Sequence, residues 1–171
     1  MIQQILTLTL SNLAFVLLIA AIAVAAIALL RKGSFDRRTV GETTFRWLAL
    51  LAVGISGLYT ALMHIVFPDQ SAAAIGWAPS PFQYEVGVAD LTVGVLGLGA
   101  FRASYGFRLA TTIAAACWYG GDAIGHIRQM IVAQNFAPGN AGPWFWTDVL
   151  VPIILVACAL VLWRRGAGNR G

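Results

Sequence analysis

Charge is scarce in this 171-residue sequence. Asp, Glu, Lys and Arg together make up 11% of it, against about 25% in a soluble domain. Apolar residues account for 59%, and the mean hydropathy is +0.78. That balance excludes a water-soluble globule. It also excludes a disordered tail, because disorder requires low hydrophobicity. Cysteine is nearly absent: Cys117 and Cys158 sit singly in apolar runs, with no CxxC partner and no metal-like spacing, and read as small buried hydrophobes. Also missing are a glycine-rich phosphate loop, a GxSxG elbow, a dinucleotide fingerprint and an HExxH pair. Nothing points to nucleotide binding, so a primary pump in one chain is not indicated. No aromatic-interleaved basic patch points to nucleic acid. The first nine residues carry no Lys or Arg, whereas a secretory signal needs a basic start. The first apolar stretch is therefore expected to be a retained helix.

What remains is a single all-α domain in the lipid bilayer. A spanning helix needs about 20 mostly apolar residues, and five segments qualify: 8–30, 47–67, 82–101, 109–131 and 144–163. The third is the weakest, diluted by Asp90 and four glycines. Arg31, Lys32, Arg37, Arg38 and Arg46 surround the first loop. Arg102 and Arg108 flank the third connection, and Arg164, Arg165 and Arg170 form the tail. With five crossings, ten of the 11 cations fall on one side, and only Arg128 does not. Short basic loops stay inside, so the N-terminus is expected outside and the C-terminus in the cytoplasm. Trp47 and Trp163 then fall at inner edges, and Trp144 and Trp146 at an outer edge, where amphipathic rings belong.

The outer loops carry local signals. Asp69 after Pro68 reads as the cap of a short interfacial helix through Ile75. Ser80-Pro81-Phe82-Gln83 reads as a helix start, with Gln83 at the third helical position. Ala137-Pro138-Gly139-Asn140 reads as a turn. Glycines are numerous inside the spans: Gly54 and Gly57 in the second, Gly87, Gly94, Gly97 and Gly99 in the third, Gly121 and Gly125 in the fourth. In lipid, small residues let helices approach closely. The faces they form suit either packing within one bundle or a partner, as a homo-oligomer or a membrane complex.

The remaining ionisable residues gather toward one side. Asp69, Glu85, Asp90, Asp122, Asp148, His64, His126 and Arg128 all fall in the outer half. Measured along the helical rise, His64, His126, Glu85 and Asp148 lie roughly 4–8 Å deep, and Asp90 and Asp122 roughly 12–14 Å deep. Such groups are costly in a membrane and usually face a bundle interior or a wet cavity. Asp122 and His126 are four apart and share a helix face, as do Gly57, Thr60 and His64. Pro152 leaves the carbonyl of Asp148 without its usual intrahelical partner. Glu85 and Asp90 are roughly 140° apart around their helix, so they cannot both point at one centre.

Several readings stay open. The network can be structural, with Arg128 on a carboxylate and histidines bridging helices. It can be a metal site built from His64, His126, Asp122 and Glu85, since two imidazoles with carboxylates suit zinc, iron or manganese. It can be a proton or small-solute path. His64 and His126 can also be axial ligands of a haem, given a flat slot between the second and fourth spans. An outward-facing pocket lined by His64, Glu85, Asp90, Asp122, His126 and Asp148, binding a metal ion or small polar ligand, is the leading expectation. An enzyme acting on a lipid or quinone is also open. Asp69, Trp118, Tyr119, Asn135 and Asn140 read as cap, packing and turn residues, with the two asparagines also able to line the outer mouth.

Two stretches carry a family resemblance. Ile75-Gly76-Trp77, Ser80-Pro81-Phe82-Gln83-Tyr84-Glu85-Val86-Gly87 and Leu96-Gly97 form one. Gly125-His126-Ile127, Asn135, Ala137-Pro138-Gly139-Asn140-Ala141-Gly142 and Asp148 form the other. Together they resemble a family of small bacterial membrane proteins without an assigned function, over about residues 60–155, with a looser similarity to DoxX-like four-helix membrane proteins. The resemblance implies a bacterial inner membrane. It implies no reaction, and no catalytic residue carries over.

Overall fold

The structure is a computed structural model that describes residues 1–166. The tail cations Arg164, Arg165 and Arg170 lie outside the described side chains. Among the described residues the chain is all helix, without strands. Helices α1 (Ile2–Ser11) and α2 (Leu13–Lys32) come first. Helix α3 (Arg37–Val66) follows, and after it the short α4 (Pro68–Ile75). Then come α5 (Phe82–Ala100), α6 (Tyr105–Val132), a single turn α7 (Pro138–Ala141) and α8 (Pro143–Gly166). Each of the five expected apolar segments is helical over most of its length. Three helical stretches are long and apolar enough to cross a membrane: Leu13–Lys32, Arg37–Val66 and Pro138–Trp163.

The first segment does not run unbroken from Leu8. Asn12 takes φ −127° and its side-chain amide donates to the carbonyl of Leu8 at 2.9 Å, ending α1 there. Asparagine often trades helix for such a local bond. Helix α2 buries one stripe, Ala14, Leu18, Ala21, Ala25 and Leu29, at spacings of three and four. Its last turn carries Arg31 and Lys32, cations that suit the negative end of the helix dipole. Gly33 ends it at φ 62°, where a side chain would be strained.

Helix α3 starts at Asp36, whose carboxylate accepts the N–H groups of Arg38 and Thr39 at 3.0 and 3.2 Å. The hydroxyls of Thr39 and Ser34 donate to it as well. These bonds, the Thr39 hydroxyl foremost, lower the Asp36 pKa from 3.8 to about 2. A depressed carboxylate stabilises above its unfolded pKa, so this cap is intact at neutral pH and is lost only as the pH falls from 3.8 through about 2.

Within α3, residues Leu48–Ile55 form a π-helical stretch. It lies where α3 meets α5 backbone to backbone. A Cβ on Gly57 would stand 2.8 Å from Gly94 Cα, and one on Gly97 would stand 2.6 Å from Gly54 N. Glycine is required here for space. Gly121 and Gly125 on α6 are different, since a Cβ on either meets no atom within 4 Å. Among the described residues nothing packs closely on that small-residue face.

The core joins α2, α3, α5, α6 and α8 around Leu18, Phe45, Leu48, Val53, Val151 and Leu155. Large apolar side chains cover the outside, among them Ile19, Ile27, Leu62, Val95, Ile113, Ile124, Ile153 and Trp163. Such a surface is suited to lipid; on a protein in water it would be a large liability. Cys158 is buried, but Cys117 is exposed. It lines an apolar groove of 410 Å³ between α6 and α8 that also includes Tyr105, Ile113, Val156 and Trp163.

Two loop expectations are revised. The residue preceding α4 is Phe67, with Pro68 opening the helix and Asp69 inside its first turn. Ser80 Oγ accepts the Phe82 N–H at 3.2 Å, but α5 opens at Phe82 with Pro81 in the capping place, so the start falls one residue later than expected and Gln83 is its second residue. The Gln83 side chain does not reach back to that start, because His64 engages it.

Candidate functional site

Helix α6 presents Trp118, Tyr119, Asp122 and His126 within two turns, three and four residues apart, so they share a face. Helix α5 brings Asp90, and α8 brings Asp148. Asp90 is 6% exposed and accepts the indole N–H of Trp118 at 2.8 Å. Asp122 lies within electrostatic range of Asp148, Asp90 and His126. The Tyr119 phenol lies in the fields of all three carboxylates. Asp122 forms no hydrogen bond among the described residues.

His126 is held on both ring nitrogens. Its Nε2 is 3.4 Å from Asp148 Oδ2, an ion pair when the ring is protonated. Its Nδ1 is 2.8 Å from Asn140 Oδ1. Asn140 is fully buried, and its amide nitrogen donates to the carbonyls of Asn135 at 2.9 Å and His126 at 3.3 Å. Those two donations fix the amide orientation, so Oδ1 accepts and His126 Nδ1 carries the hydrogen. Asn135 extends the chain outward, donating to the Ile75 carbonyl at 2.8 Å and accepting the Ala137 N–H at 3.0 Å. One amide hub thus ties α6, α7 and the end of α4 to the His126–Asp148 pair.

His64 stands apart from this hub. Its Nδ1 donates to Gln83 Oε1 at 2.6 Å, across the α3–α5 contact. Thr60, one turn earlier, donates to the carbonyls of Ser56 and Gly57 at 3.2 and 3.1 Å.

Of the six expected lining residues, Asp90, Asp122, His126 and Asp148 come together. His64 has a separate amide partner, and Glu85 is exposed. The angular separation on α5 decides between its two acids: Asp90 lies on the buried side with Gly87, Gly94 and Gly97, so Glu85 points outward. The expected metal set of His64, His126, Asp122 and Glu85 is therefore not assembled. Among the described residues, no three His, Cys, Asp or Glu side chains are disposed to hold a metal ion. Arg128 is exposed, and no carboxylate among the described residues pairs with it.

Three site residues read from sequence chiefly as helix-start, packing or turn residues: Gln83, Trp118 and Asn140. Their common signal is a neutral polar group one helix away from an ionisable one, which spacing along one helix does not reveal. Asn140 offers a direct check. Replacing it with alanine orphans the Asn135 carbonyl and the His126 ring N–H and removes a second bond from the His126 carbonyl, which lies inside α6. Each lost buried bond costs about 1 kcal/mol or more. Asn140→Ala is expected to destabilise the protein by about 2–3 kcal/mol, read as a lower unfolding midpoint in detergent. An unchanged midpoint would remove Asn140 from the hub.

The chain belongs to the family of unknown function DUF6790, which matches residues 11–168. The match takes in α2, which the motif resemblance over residues 60–155 had left out. No curated protein and no solved structure matches the chain, and nothing found supports the looser DoxX-like likeness or a bacterial origin.

Proposed function

We propose that the chain crosses the bacterial inner membrane five times, N-terminus outside and C-terminus in the cytoplasm, and that Asp90, Asp122, Asp148 and His126 line an outward-facing pocket that takes up a small cation, the proton first among them. Three helical stretches already qualify as spans by length and hydropathy. Helices α5 and α6, of 19 and 28 residues, are about 28 and 42 Å long at the helical rise. A bilayer core is about 30 Å thick, so both are long enough to cross. Their polar residues lower their hydropathy, and Asp90, Asp122 and His126 are the ones that meet neighbouring helices.

The observation that carries the reading is an imbalance of charge. Three carboxylates share one imidazole, and Arg128 pairs with none of them. An ionised carboxylate away from water needs a partner. The excess acid must hold a proton or meet a cation that comes from outside. Asp122 is the acid left without a hydrogen bond. The missing trio of metal donors favours a proton, a monovalent ion or a small ammonium over a transition metal.

A second reading, a structural subunit of a membrane complex, draws on the saturation of His126, which has no ring nitrogen left for a ligand. Asp122→Asn separates the two. Unbuffered protein in detergent is expected to release protons when an alkali or ammonium salt is added. Asp122→Asn should abolish that release while its unfolding midpoint stays level or rises, because an unpaired buried acid has been removed. Release that persists in the variant, or none from the wild type at any pH, favours the structural reading. A Soret band or stoichiometric zinc in the purified protein would replace the proposal with a haem or metal site.

A further inference from the structure

We infer that Arg46, Phe101 and Arg102 form a binding site for the phosphate of an anionic phospholipid headgroup, at the rim that carries the basic loops. The guanidinium carbon of Arg46 lies 4.7 Å from the centroid of the Phe101 ring, and that of Arg102 lies 5.8 Å from it. The Trp47 ring meets Phe101 edge to face, at 5.4 Å and 66°. Two like charges are thus held on one aromatic ring, which attracts each but cannot neutralise either.

The nearby acids are committed elsewhere. Glu42 precedes Arg46 by four residues, the spacing at which a helical ion pair ordinarily forms. Its Oε2 instead lies 2.6 Å from Arg108 Nη1. Asp36 is occupied in capping α3. Among the described residues the two ion pairs are Arg108–Glu42 and His126–Asp148, so Arg46 and Arg102 keep their forked donors free of carboxylates. A phosphate offers several acceptor oxygens and a charge to match both forks. The local surroundings favour a lipid over free phosphate. Trp47, packed against Phe101, is an aromatic residue of the kind that sits at headgroup level. The neighbouring Leu98 and Phe107 are 36% and 41% exposed and give an acyl chain an apolar wall. The site requires only that the protein resides in a membrane, and it stands or falls separately from the cation pocket.

The test is a titration of delipidated protein in neutral detergent with short-chain phosphatidylglycerol, short-chain phosphatidylcholine and inorganic phosphate. Phosphatidylglycerol is expected to bind and the other two to bind at least ten-fold more weakly, on the order of the contribution of two lysine or arginine charges. Arg46→Gln with Arg102→Gln should weaken phosphatidylglycerol by about thirty-fold, whereas Arg37→Gln with Arg38→Gln, exposed cations of the same rim, should change it by no more than about three-fold. Phe101→Leu keeps both charges and loses the ring, and should weaken binding by about three- to ten-fold. The lipid-free unfolding midpoint of each variant confirms that it folds. Equal losses in the two arginine pairs would reduce the site to diffuse charge and overturn it. Phosphatidylcholine or inorganic phosphate binding as tightly as phosphatidylglycerol would overturn the assignment to an anionic lipid.

Discussion

Gly57→Ala is expected to cost about 3 kcal/mol or more, at the upper end of what overpacking usually costs. The reason is what the new methyl group would meet. At Gly57 a Cβ falls 2.8 Å from Gly94 Cα, 2.9 Å from Gly94 N and 3.0 Å from the Asp90 carbonyl. All three are backbone atoms, so no side chain can rotate away. The two helices must separate, and the separation forfeits packing along the whole α3–α5 seam, where lipid offers no hydrophobic compensation. Gly97→Ala should behave alike, since its Cβ meets Gly54 N at 2.6 Å and the Ala49 carbonyl at 2.8 Å. Gly121→Ala and Gly125→Ala are the controls. With nothing within 4 Å, they should be neutral or slightly stabilising, as alanine is the better helix former. Unfolding midpoints of the four variants in detergent check the sign as well as the size. Equal effects at Gly57 and Gly121 would mean that the glycines act through helix propensity and not through contact. Gly57→Ala should also disturb the site, because the displaced carbonyl belongs to Asp90, whose carboxylate is held by Trp118.

The same contact marks what was legible in the sequence. Apolar runs of about 20 residues were enough to place the five long helices, because lipid forces every backbone polar group to be satisfied within its own helix. The glycine faces of the second and third segments were visible for the same reason. That these two faces meet each other, while Gly121 and Gly125 meet nothing among the described residues, was not, since spacings of three and of four alike put glycines on one helix face. The π-helical stretch Leu48–Ile55 left no mark at all in an apolar sequence without proline. In the site, ionisable residues could be ranked by depth, and helical angle showed that Glu85 and Asp90 cannot share a centre. Which partner each group takes depends on neighbours from other helices. So the amide oxygens of Gln83 and Asn140 were missed, although they hold the two histidines, and Arg128 was given a carboxylate that it does not have. The choice among structural network, cation pocket and haem slot rests on such cross-helix detail.

Arg108 is the largest departure of this kind, and its replacement should have one of the largest effects in the protein. By sequence it is one basic loop residue among ten. In the fold it is 7% exposed, and its fork reaches three acceptors. Nη1 donates to Glu42 Oε2 at 2.6 Å, Nε to the Ala100 carbonyl at 3.1 Å, and Nη2 to the Phe101 carbonyl at 3.4 Å. The guanidinium also lies 5.4 Å from the Phe45 ring centroid. It thereby caps the C-terminal end of α5, whose last carbonyls have no helical donor, and joins that end to α3 and α6. Arg108→Met keeps the bulk of the stem but takes its donor from the Phe101 carbonyl, leaves the Ala100 carbonyl only the 3.4 Å bond from the Ala103 N–H, and strips Glu42 of its partner. It is expected to cost about 3 kcal/mol, the upper end of what hydrogen bonds to a charged group contribute, since the Glu42 carboxylate left behind is 36% exposed and meets water. Arg108→Lys retains the charge but cannot present a planar fork to three acceptors, and should recover only part of that loss. Glu42→Gln should cost least, about 1 kcal/mol, because the Glu42 side chain is 36% exposed and glutamine still offers an oxygen to Nη1. The order Met, then Lys, then Glu42→Gln, read from unfolding midpoints in detergent, is the signature of a cap. Because the guanidinium is buried, the order should persist in high salt, which screens exposed pairs far more than enclosed ones. If Glu42→Gln proved as damaging as Arg108→Met, the ion pair and not the cap would dominate, and the tie to the end of α5 would be secondary.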